Sequence, residues 1–231
     1  MKNFVPLAST GEYILTNFAE QSLEPFSSNT AYTTLNARCD MATDGGGWII
    51  IQRRILNEPV NFNRKWEDYE NGFGDLNGEF WYGLRNIHFL TTRDEVELRI
   101  DMVNKDGESF TWTYQTFIVA GGGDKYRLTV GGGEGVGNDA MAFHNGVHFS
   151  TYDQDNDKWN DNSCAYTYQG GWWFKNCYRT NPNGPHNTPS LPGVSQTEAK
   201  IIWYDGTSYQ QLSSMEMKIR VKNCVQDTQG C

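Results

Sequence analysis

Hydrophobic and polar residues alternate along several short stretches of the chain, and an alternation with a period of two predicts β-strands. In VELRIDM the apolar residues Val96, Leu98, Ile100 and Met102 share one face of such a strand. Similar short patterns occur near both ends and in the middle of the chain, in EYILTNF, TLNARCDM, FTWTYQTFIV, KYRLTV and SSMEMKIRV. The run WIIIQRR, which begins at Trp48, is apolar at consecutive positions and predicts a central strand. We therefore expect a mainly antiparallel twisted sheet.

Segments of other kinds interrupt this strand pattern. Residues 63–90 predict two short helices separated by glycines, with Trp66, Tyr69 and Phe73 on one helical face that packs in the core. The stretch GGGEGVGND, which follows KYRLTV, predicts a loop. Residues 145–206 carry few strand signals and are dominated by Gly, Asn, Asp and Pro. Long irregular segments in compact domains are often functional, so we expect a disulfide, a metal ion or both to order this one.

Composition and charge narrow the classes of partner. Aromatic residues make up 14% of the 231 residues, so we expect aromatic side chains to form much of the hydrophobic core. The net charge of −9 repels a phosphate backbone and an anionic membrane surface, and it attracts divalent cations. No apolar run has the length of a membrane span. We therefore expect neither a nucleic-acid partner nor membrane insertion.

An acidic stretch, DQDND, is the candidate metal site. Asp153, Asp155 and Asp157 alternate in a turn-prone segment, and calcium takes six to eight oxygen ligands from carboxylates, carbonyls and waters. An EF-hand loop that began at Asp153 would need Gly and Glu where this chain has Lys158 and Cys164. The residues alone therefore leave two interpretations, a calcium loop of another kind or a solvated acidic turn.

The chain has five cysteines, Cys39, Cys164, Cys177, Cys224 and Cys231, and none lies in a CxxC motif or at zinc-site spacing. Cys164 and Cys177 bracket a short loop. The residues alone leave two interpretations of this pair, a disulfide that closes the loop or two buried free thiols. The other three cysteines leave an odd thiol.

Catalytic motifs are absent from the sequence. The four histidines lie outside HExxH, and neither GxSxG nor SxxK occurs. No pattern assembles a nucleophile, a base and an orienting group, so we do not expect an enzyme.

Several longer motifs in the sequence resemble those of a known domain family. CDMATDGGGWIIIQRR, NGFGDLNGEFWYGLRNIHFLT, HNGVHFST, DQDND and GGWWFKNC occur in this order, and SSMEMKIR follows near the end. Together they closely resemble the fibrinogen C-terminal (fibrinogen-related) domain of fibrinogen chains, ficolins, tachylectins and angiopoietins. The resemblance covers about residues 10–221. It implies an α+β fold with short helices beside the sheet, in a single domain over residues 1–223 with a tail at 224–231.

The resemblance further implies three subdomains. The first, about residues 1–45, contains a disulfide. The second is the central sheet, residues 46–144 together with 210–221. The third, residues 145–209, is rich in loops and carries calcium and the ligand.

By similarity to the family, calcium is held by the side chains of Asp155 and Asp157 and by backbone carbonyls. The nearest matching positions for these carbonyls are Trp159 and Asp161, with Asn162 as the alternative to Asp161. Calcium is thus the one implied cofactor.

The resemblance also implies the structure around this loop. Asp153 supports the loop without touching the ion. Cys164 and Cys177 form the family disulfide beside the ligand pocket, and the Asn176–Cys177 peptide bond is cis. Cys39 pairs in the family with an upstream cysteine that this sequence does not contain. Either this sequence begins after that partner, or Cys39 pairs with Cys224 or Cys231. Of these two, we expect the C-terminal partner.

The resemblance also implies which residues bind the ligand, from their positions relative to the family motifs. Tyr168 and Tyr209 stand where acetyl-binding members have two pocket tyrosines, and Asn176, Cys177 and Tyr178 complete the expected ligand site. An acetyl methyl group against rings, with its oxygen on a backbone N–H, is an apolar pocket with one polar anchor.

Several positions depart from the family's ligand sites. Tyr178 stands where many members have His. Thr197 and Glu198 stand where a Tyr-Ala pair would help close the acetyl pocket. Thr167 and Tyr168 replace the Gln and Asp of the fibrin-knob pocket, so capture of an N-terminal Gly-Pro-Arg peptide is not expected.

Two functions follow as expectations. The first is a secreted, calcium-binding, lectin-like module that recognises acetylated or other surface glycans in innate immunity. The alternative is a protein-binding or adhesion domain that recognises a cell-surface protein, as in angiopoietins. Segments outside this chain are expected to form oligomers in which weak single sites gain avidity.

Overall fold

The structure is a computed structural model that describes residues 9–18, 33–56, 60–186 and 200–222. The strands in this part of the chain are β1 (Gly11–Phe18), β2 (Thr33–Asp40), β3 (Trp48–Ile55), β4 (Phe73–Gly74), β5 (Phe80–Trp81), β6 (Val96–Asn104), β7 (Ser109–Val119), β8 (Leu128–Gly135), β9 (Ile202–Tyr204) and β10 (Tyr209–Val221). The α-helices are α1 (Trp66–Asn71), α2 (Leu84–Arg93) and α3 (Cys164–Tyr168). Short 3₁₀ helices cover Thr43–Gly45, Gly122–Asp124 and Met141–His144.

One antiparallel sheet organises these elements, with the strand order β1-β2-β3-β10-β6-β7-β8. The last strand, β10, inserts between β3 and β6, so the C-terminal sequence closes the middle of the sheet. The helices α1 and α2 lie beside the sheet, and α2 contacts β7. The predicted α+β fold is confirmed.

Alternation along β6 explains how the sheet builds its core. Val96, Leu98, Ile100 and Met102 are all buried, and the residues between them are half-buried. An alternating strand presents one face to the core and the other to polar surroundings. The pattern read from VELRIDM therefore fixes which face of the sheet is covered.

An aromatic cluster joins this core to the loop-rich part of the chain. The ring of Phe149 lies 5.2 Å from both Tyr69 and Trp173, measured between ring centroids. Trp81 lies 6.2 Å from Trp173 by the same measure. The rings meet at tilted or edge-on angles, which aromatic pairs prefer to a face-to-face sandwich. The loops after β8 are thus attached to the sheet through rings.

The structure differs from the sequence prediction at several elements. Between α1 and α2, where only helices separated by glycines were predicted, the short strands β4 and β5 pair with each other, and Phe73 lies in β4 and not on the predicted helical face. Strand β8 continues through the glycines that were predicted as a loop, because β7 pairs with it as far as Gly135. A Cβ on Gly135 would lie 2.5 Å from the Trp112 ring, so the glycine allows this ring to cover the strand. The helix α3 and the strand β9 were not predicted. Each is short, and β9 is defined by its pairing with the start of β10.

Cys39 is buried in β2, and its burial raises the pKa of the thiol to about 11. Its predicted partners, Cys224 and Cys231, lie outside the described residues, as do the tail at 224–231 and the pair Thr197 and Glu198.

The buried Lys218 forms ion pairs with three carboxylates, on the face of the sheet opposite the apolar residues of β6. Lys218 Nζ lies 2.7 Å from Asp40 Oδ2, 2.8 Å from Asp101 Oδ2 and 3.2 Å from Glu216 Oε1. Burial opposes ionisation of Asp40, but hydrogen bonds from Lys218 and Thr43 hold the pKa of its carboxyl well below the usual range. These ion pairs connect β2, β6 and β10.

We expect Lys218→Ala to lower the free energy of unfolding by about 3 kcal/mol, because it leaves the buried Asp40 carboxylate, and the partly buried carboxylates of Asp101 and Glu216, without their shared cation. Urea denaturation measures the change. Lys105→Ala removes an exposed lysine from the turn between β6 and β7 and serves as the matched control, with a change below about 0.5 kcal/mol expected. Equal effects of the two substitutions would contradict the role of Lys218.

Candidate recognition site

A disulfide closes the loop that contains the expected ligand residues. Cys164 and Cys177 are bonded, with their Cα atoms 5.5 Å apart, which confirms the predicted pairing. Cys164 begins α3, and the Ser163 hydroxyl caps this helix by accepting a hydrogen bond from Tyr166 N. The Asn176–Cys177 peptide bond is cis, as the resemblance implied.

The residues between α3 and Cys177 are anchored by burial. Trp172, Trp173 and Phe174 are all fully buried, although most of the chain around them has no regular secondary structure. The indole Nε1 of Trp173 donates a 2.7 Å hydrogen bond to the Tyr126 carbonyl. Full burial of a large apolar side chain contributes about 1.5–3 kcal/mol. Burial of these three side chains therefore fixes the chain immediately before the cis peptide.

His144 joins the chain before Cys177 to the chain after it. Its Nδ1 donates to the Trp173 carbonyl at 2.7 Å, and its Nε2 accepts from Arg179 N at 3.2 Å and from Thr180 N at 3.3 Å. An acceptor at Nε2 requires a neutral ring. Burial lowers the pKa of His144 from 6.5 to about 4, which is consistent with this neutral form.

A second anchor joins the loops to α1. Gly171 N donates to the Tyr69 hydroxyl at 2.9 Å, and Asn183 Nδ2 donates to the Gly171 carbonyl at 2.9 Å. A Cβ at Gly171 would lie 2.5 Å from the Tyr69 ring, so this close approach requires glycine.

A third anchor reaches β3 through a buried ion pair. Arg54 Nε lies 3.0 Å from Glu79 Oε1, and both side chains are almost fully buried. The same guanidinium donates to the carbonyls of Pro182 and Gly184 at 3.0 and 2.8 Å. His186 Nε2 lies 2.8 Å from Glu79 Oε1. Residues 182–186, which follow the disulfide loop in the chain, are thus bonded to the central sheet.

The acidic loop has a definite internal structure. Asp155 Oδ1 accepts a hydrogen bond from Asp157 N at 3.0 Å. The two oxygens of Asp157 accept from Trp159 N and Cys164 N, each at 2.7 Å. Burial raises the pKa of Asp157 to about 6, and the neighbouring negative charge of Asp155 contributes in the same direction. The two carboxylates therefore lie close together, at the start of the disulfide loop.

Asp153 occupies a different position from the other two aspartates. Its Oδ1 accepts from Trp66 N at 2.9 Å and from the Thr151 hydroxyl at 2.7 Å. Asp153 thus attaches the acidic loop to the start of α1, which agrees with the supporting role expected for it.

The donor set of this loop suits calcium in type. Among the described residues, no group of three or more His, Cys, Asp or Glu side chains could hold a metal ion. Asp155 and Asp157 supply two adjacent carboxylates, and the residues that follow supply backbone carbonyls, a combination of hard oxygens that calcium accepts. A cation beside them would also offset the repulsion between the two carboxylates.

The predicted ligand tyrosines come together in one cluster. The Tyr178 ring lies 4.7 Å from the Tyr168 ring and 5.9 Å from the Tyr209 ring, between centroids and edge-on in both cases. The Tyr209 hydroxyl donates to the Tyr178 carbonyl at 3.3 Å. Tyr178 is 8% exposed, whereas Tyr209 is 42% exposed. Asn176 is exposed beside the disulfide. The Tyr178 ring therefore packs between the two other tyrosine rings.

Sequence comparison agrees with this fold. Residues 16–222 match the family model for the C-terminal globular domain of the fibrinogen beta and gamma chains. The protein belongs to this family. Over 188 residues it is 44% identical to tenascin-R of Rattus norvegicus, a match that covers 80% of this sequence and 13% of that protein's length.

Solved structures are similar as well. The fibrinogen-like globe domain of human ANGPTL2 matches with a TM-score of 0.76 and 31% identity, over 92% of this chain and 93% of that one. A lamprey fibrin D-dimer complexed with the peptide Gly-His-Arg-Pro-amide matches with a TM-score of 0.79 and 26% identity, over 97% of this chain and 73% of that one. The relatives are secreted extracellular recognition modules, and this protein is accordingly an extracellular domain. None of the described helices is long and apolar enough to span a membrane.

Sequence reasoning did not find the residues that support the site. His144, Tyr69, Asn183 and Arg54 act on backbone groups that are distant in sequence, so no local spacing indicates them. The one local signal was the polar character of Asn183 and His144, and polar residues are equally typical of a solvated loop.

We expect the domain to lose stability in acid because of His144. The folded protein keeps this ring neutral, whereas the unfolded chain takes up a proton below about pH 6.5. The contribution of neutral His144 to the free energy of unfolding is therefore complete above pH 6.5. It is lost as the pH falls towards 4, and the loss reaches about 3 kcal/mol.

Urea denaturation in calcium at a series of pH values measures this loss. His144→Gln is expected to flatten the dependence in this pH range, and His148→Gln, which changes a partly exposed ring, is expected to retain it. An unchanged pH dependence in His144→Gln would contradict the assignment.

Proposed function

We propose that this domain is a calcium-dependent extracellular recognition module whose ligand is a protein segment that binds the surface around the tyrosine cluster. The observation that carries this choice is the position of Tyr178. Its ring is almost fully buried and packs between Tyr168 and Tyr209, where an acetyl pocket would need open space. Tyr209 beside it is exposed, and tyrosine is among the residues enriched at the energetic centres of protein interfaces.

An acetylated glycan is the second candidate. It is favoured by the convergence of the Tyr168, Tyr178 and Tyr209 rings, since rings with one backbone donor suit an acetyl group. In either case the site recognises and holds a ligand, and the proposal includes no catalytic step.

Calcium belongs to this proposal as the cofactor that orders the loop. The side chains of Asp155 and Asp157 would hold the ion, together with the carbonyls of Trp159 and of Asp161 or Asn162. The bonds from Asp157 to Trp159 N and Cys164 N support this role, because they connect the carboxylate to the start of the disulfide loop. The ion would fix the loop and would not contact the ligand.

We expect calcium at about 100 times its dissociation constant to raise the free energy of unfolding by about 2.7 kcal/mol. Asp155→Asn is expected to abolish most of this gain, because it removes one carboxylate ligand. Asp161→Asn removes the same charge from the same loop but leaves the backbone carbonyl, and it should retain the gain. Thermal unfolding in calcium and in chelator distinguishes the two variants, and an identical response from both would contradict the ligand assignment.

Retention on an N-acetylglucosamine resin distinguishes the two ligand classes. With Tyr178 packed between the other rings, we expect no calcium-dependent retention that free acetate reverses. Tyr178→His introduces the residue that many members of the family have at this position, and it is expected to increase retention relative to the unaltered domain. Acetate-reversible retention of the unaltered domain would instead establish the glycan as ligand.

A further inference from the structure

Two cationic side chains share a set of rings beside the tyrosine cluster. Lys175 Nζ lies 5.1 Å and Arg179 Cζ lies 5.7 Å from the centroid of the Phe143 ring. Arg179 Cζ also lies 4.5 Å from the Tyr204 ring. We call Phe143, Lys175, Arg179 and Tyr204 the basic strip. All four residues are half-buried.

The strip is continuous with the tyrosine cluster. The Tyr204 ring lies 5.1 Å from the Tyr209 ring, which in turn contacts Tyr178. Arg179 directly follows Tyr178, and its backbone N–H is held by His144. A ligand that crosses Tyr209 would therefore reach Arg179 over the Tyr204 ring.

Arg179 differs from the other arginines of the described residues in its surroundings. Eight of them form an ion pair with a carboxylate, namely Arg53, Arg54, Arg64, Arg85, Arg93, Arg99, Arg127 and Arg220. Arg38 donates to Asn77. Among the described residues, neither the Arg179 guanidinium nor the Lys175 ammonium group forms an ion pair with a carboxylate, and both lie over aromatic rings.

A half-buried cation over aromatic rings is partly desolvated, so a carboxylate from a partner gains more there than at a fully exposed lysine. Arginine with aromatic neighbours is also a typical energetic centre of a protein interface. The protein as a whole carries −9, so this pairing depends on local charge complementarity and not on the overall field.

We propose that the basic strip binds an acidic peptide segment of a protein partner, with its carboxylates on Arg179 and Lys175. This inference rests on the proposed function, because it names the chemistry of the ligand that the tyrosine surface would take. A polyanionic glycan is less favoured. It would meet the repulsion of a protein with charge −9 along its whole length, whereas a short acidic segment meets two local cations.

Selection from a phage-displayed library of random short peptides tests the inference. The target is the calcium-loaded domain, and parallel selections use Lys175→Gln/Arg179→Gln and the control Arg93→Gln/Lys105→Gln, which removes equal charge from exposed positions elsewhere. Because the domain carries −9, nonspecific attraction would select basic peptides. We expect peptides rich in Asp and Glu from the unaltered and control domains, and their loss from the strip variant.

Fluorescence anisotropy with one selected peptide gives the size of the effect. We expect binding to weaken about tenfold or more in the strip variant and to persist in the control, and melting temperatures verify that both variants are folded. Selection of basic or neutral peptides, or equal binding by the strip variant, would overturn the inference. So would chondroitin sulfate binding that depends on Lys175 and Arg179 while no acidic peptide binds.

Tyr209→Ala separates this inference from the proposed function. Loss of peptide binding in Tyr209→Ala with unchanged binding in the strip variant would retain the tyrosine surface and overturn the acidic partner. Loss in the strip variant with unchanged binding in Tyr209→Ala would retain the acidic partner and overturn the tyrosine surface.

Discussion

The whole recognition face depends on satisfying buried backbone groups in a segment that has little regular secondary structure. A buried N–H or C=O without a partner is strongly destabilising, and helices or strands normally provide the partners. Here side chains provide them. His144 forms hydrogen bonds with the Trp173 carbonyl and with the amides of Arg179 and Thr180. The Tyr69 hydroxyl accepts from Gly171 N, and Arg54 donates to the Pro182 carbonyl. These bonds, together with the buried aromatic run, fix the backbone around the tyrosine cluster.

This arrangement divides the site into two parts with different physical origins. The rear part, around Trp173 and Arg179, is bonded to the core and to the central sheet. The front part, from Asp155 to the start of α3, contains carboxylate–amide bonds between near neighbours in sequence. It is joined to the rear part by the Cys164–Cys177 disulfide and by Lys158 N, which donates to the Lys175 carbonyl at 2.7 Å. Closely placed carboxylates repel one another, so the front part gains most from a cation. Calcium would therefore complete a site whose rear part is already formed.

The sequence predicted much of the fold, because strand alternation such as that of β6 reflects burial on one face. Recognition of long motifs then located the disulfide, the cis peptide and the tyrosines. The predicted strand ended before the glycines of β8, because glycines indicate turns locally. The pairing of these glycines with β7 and their contact with the Trp112 ring are tertiary interactions, which a local pattern does not show. The supporting bonds of His144 and Arg54 join residues distant in sequence. The packing of Tyr178 between two rings also depends on tertiary contacts, and no local pattern reveals it.

Hydrogen exchange of backbone amides, in calcium and in chelator, tests the division into two parts most directly. We predict that the amides of Gly171, Arg179 and Thr180 exchange slowly in both conditions, because Tyr69 and His144 hold them. The amides of Trp159 and Cys164 should be slow in calcium and fast in chelator. If Arg179 and Thr180 lost protection together with Cys164 in chelator, the rear part would not be preformed, and the division would be wrong.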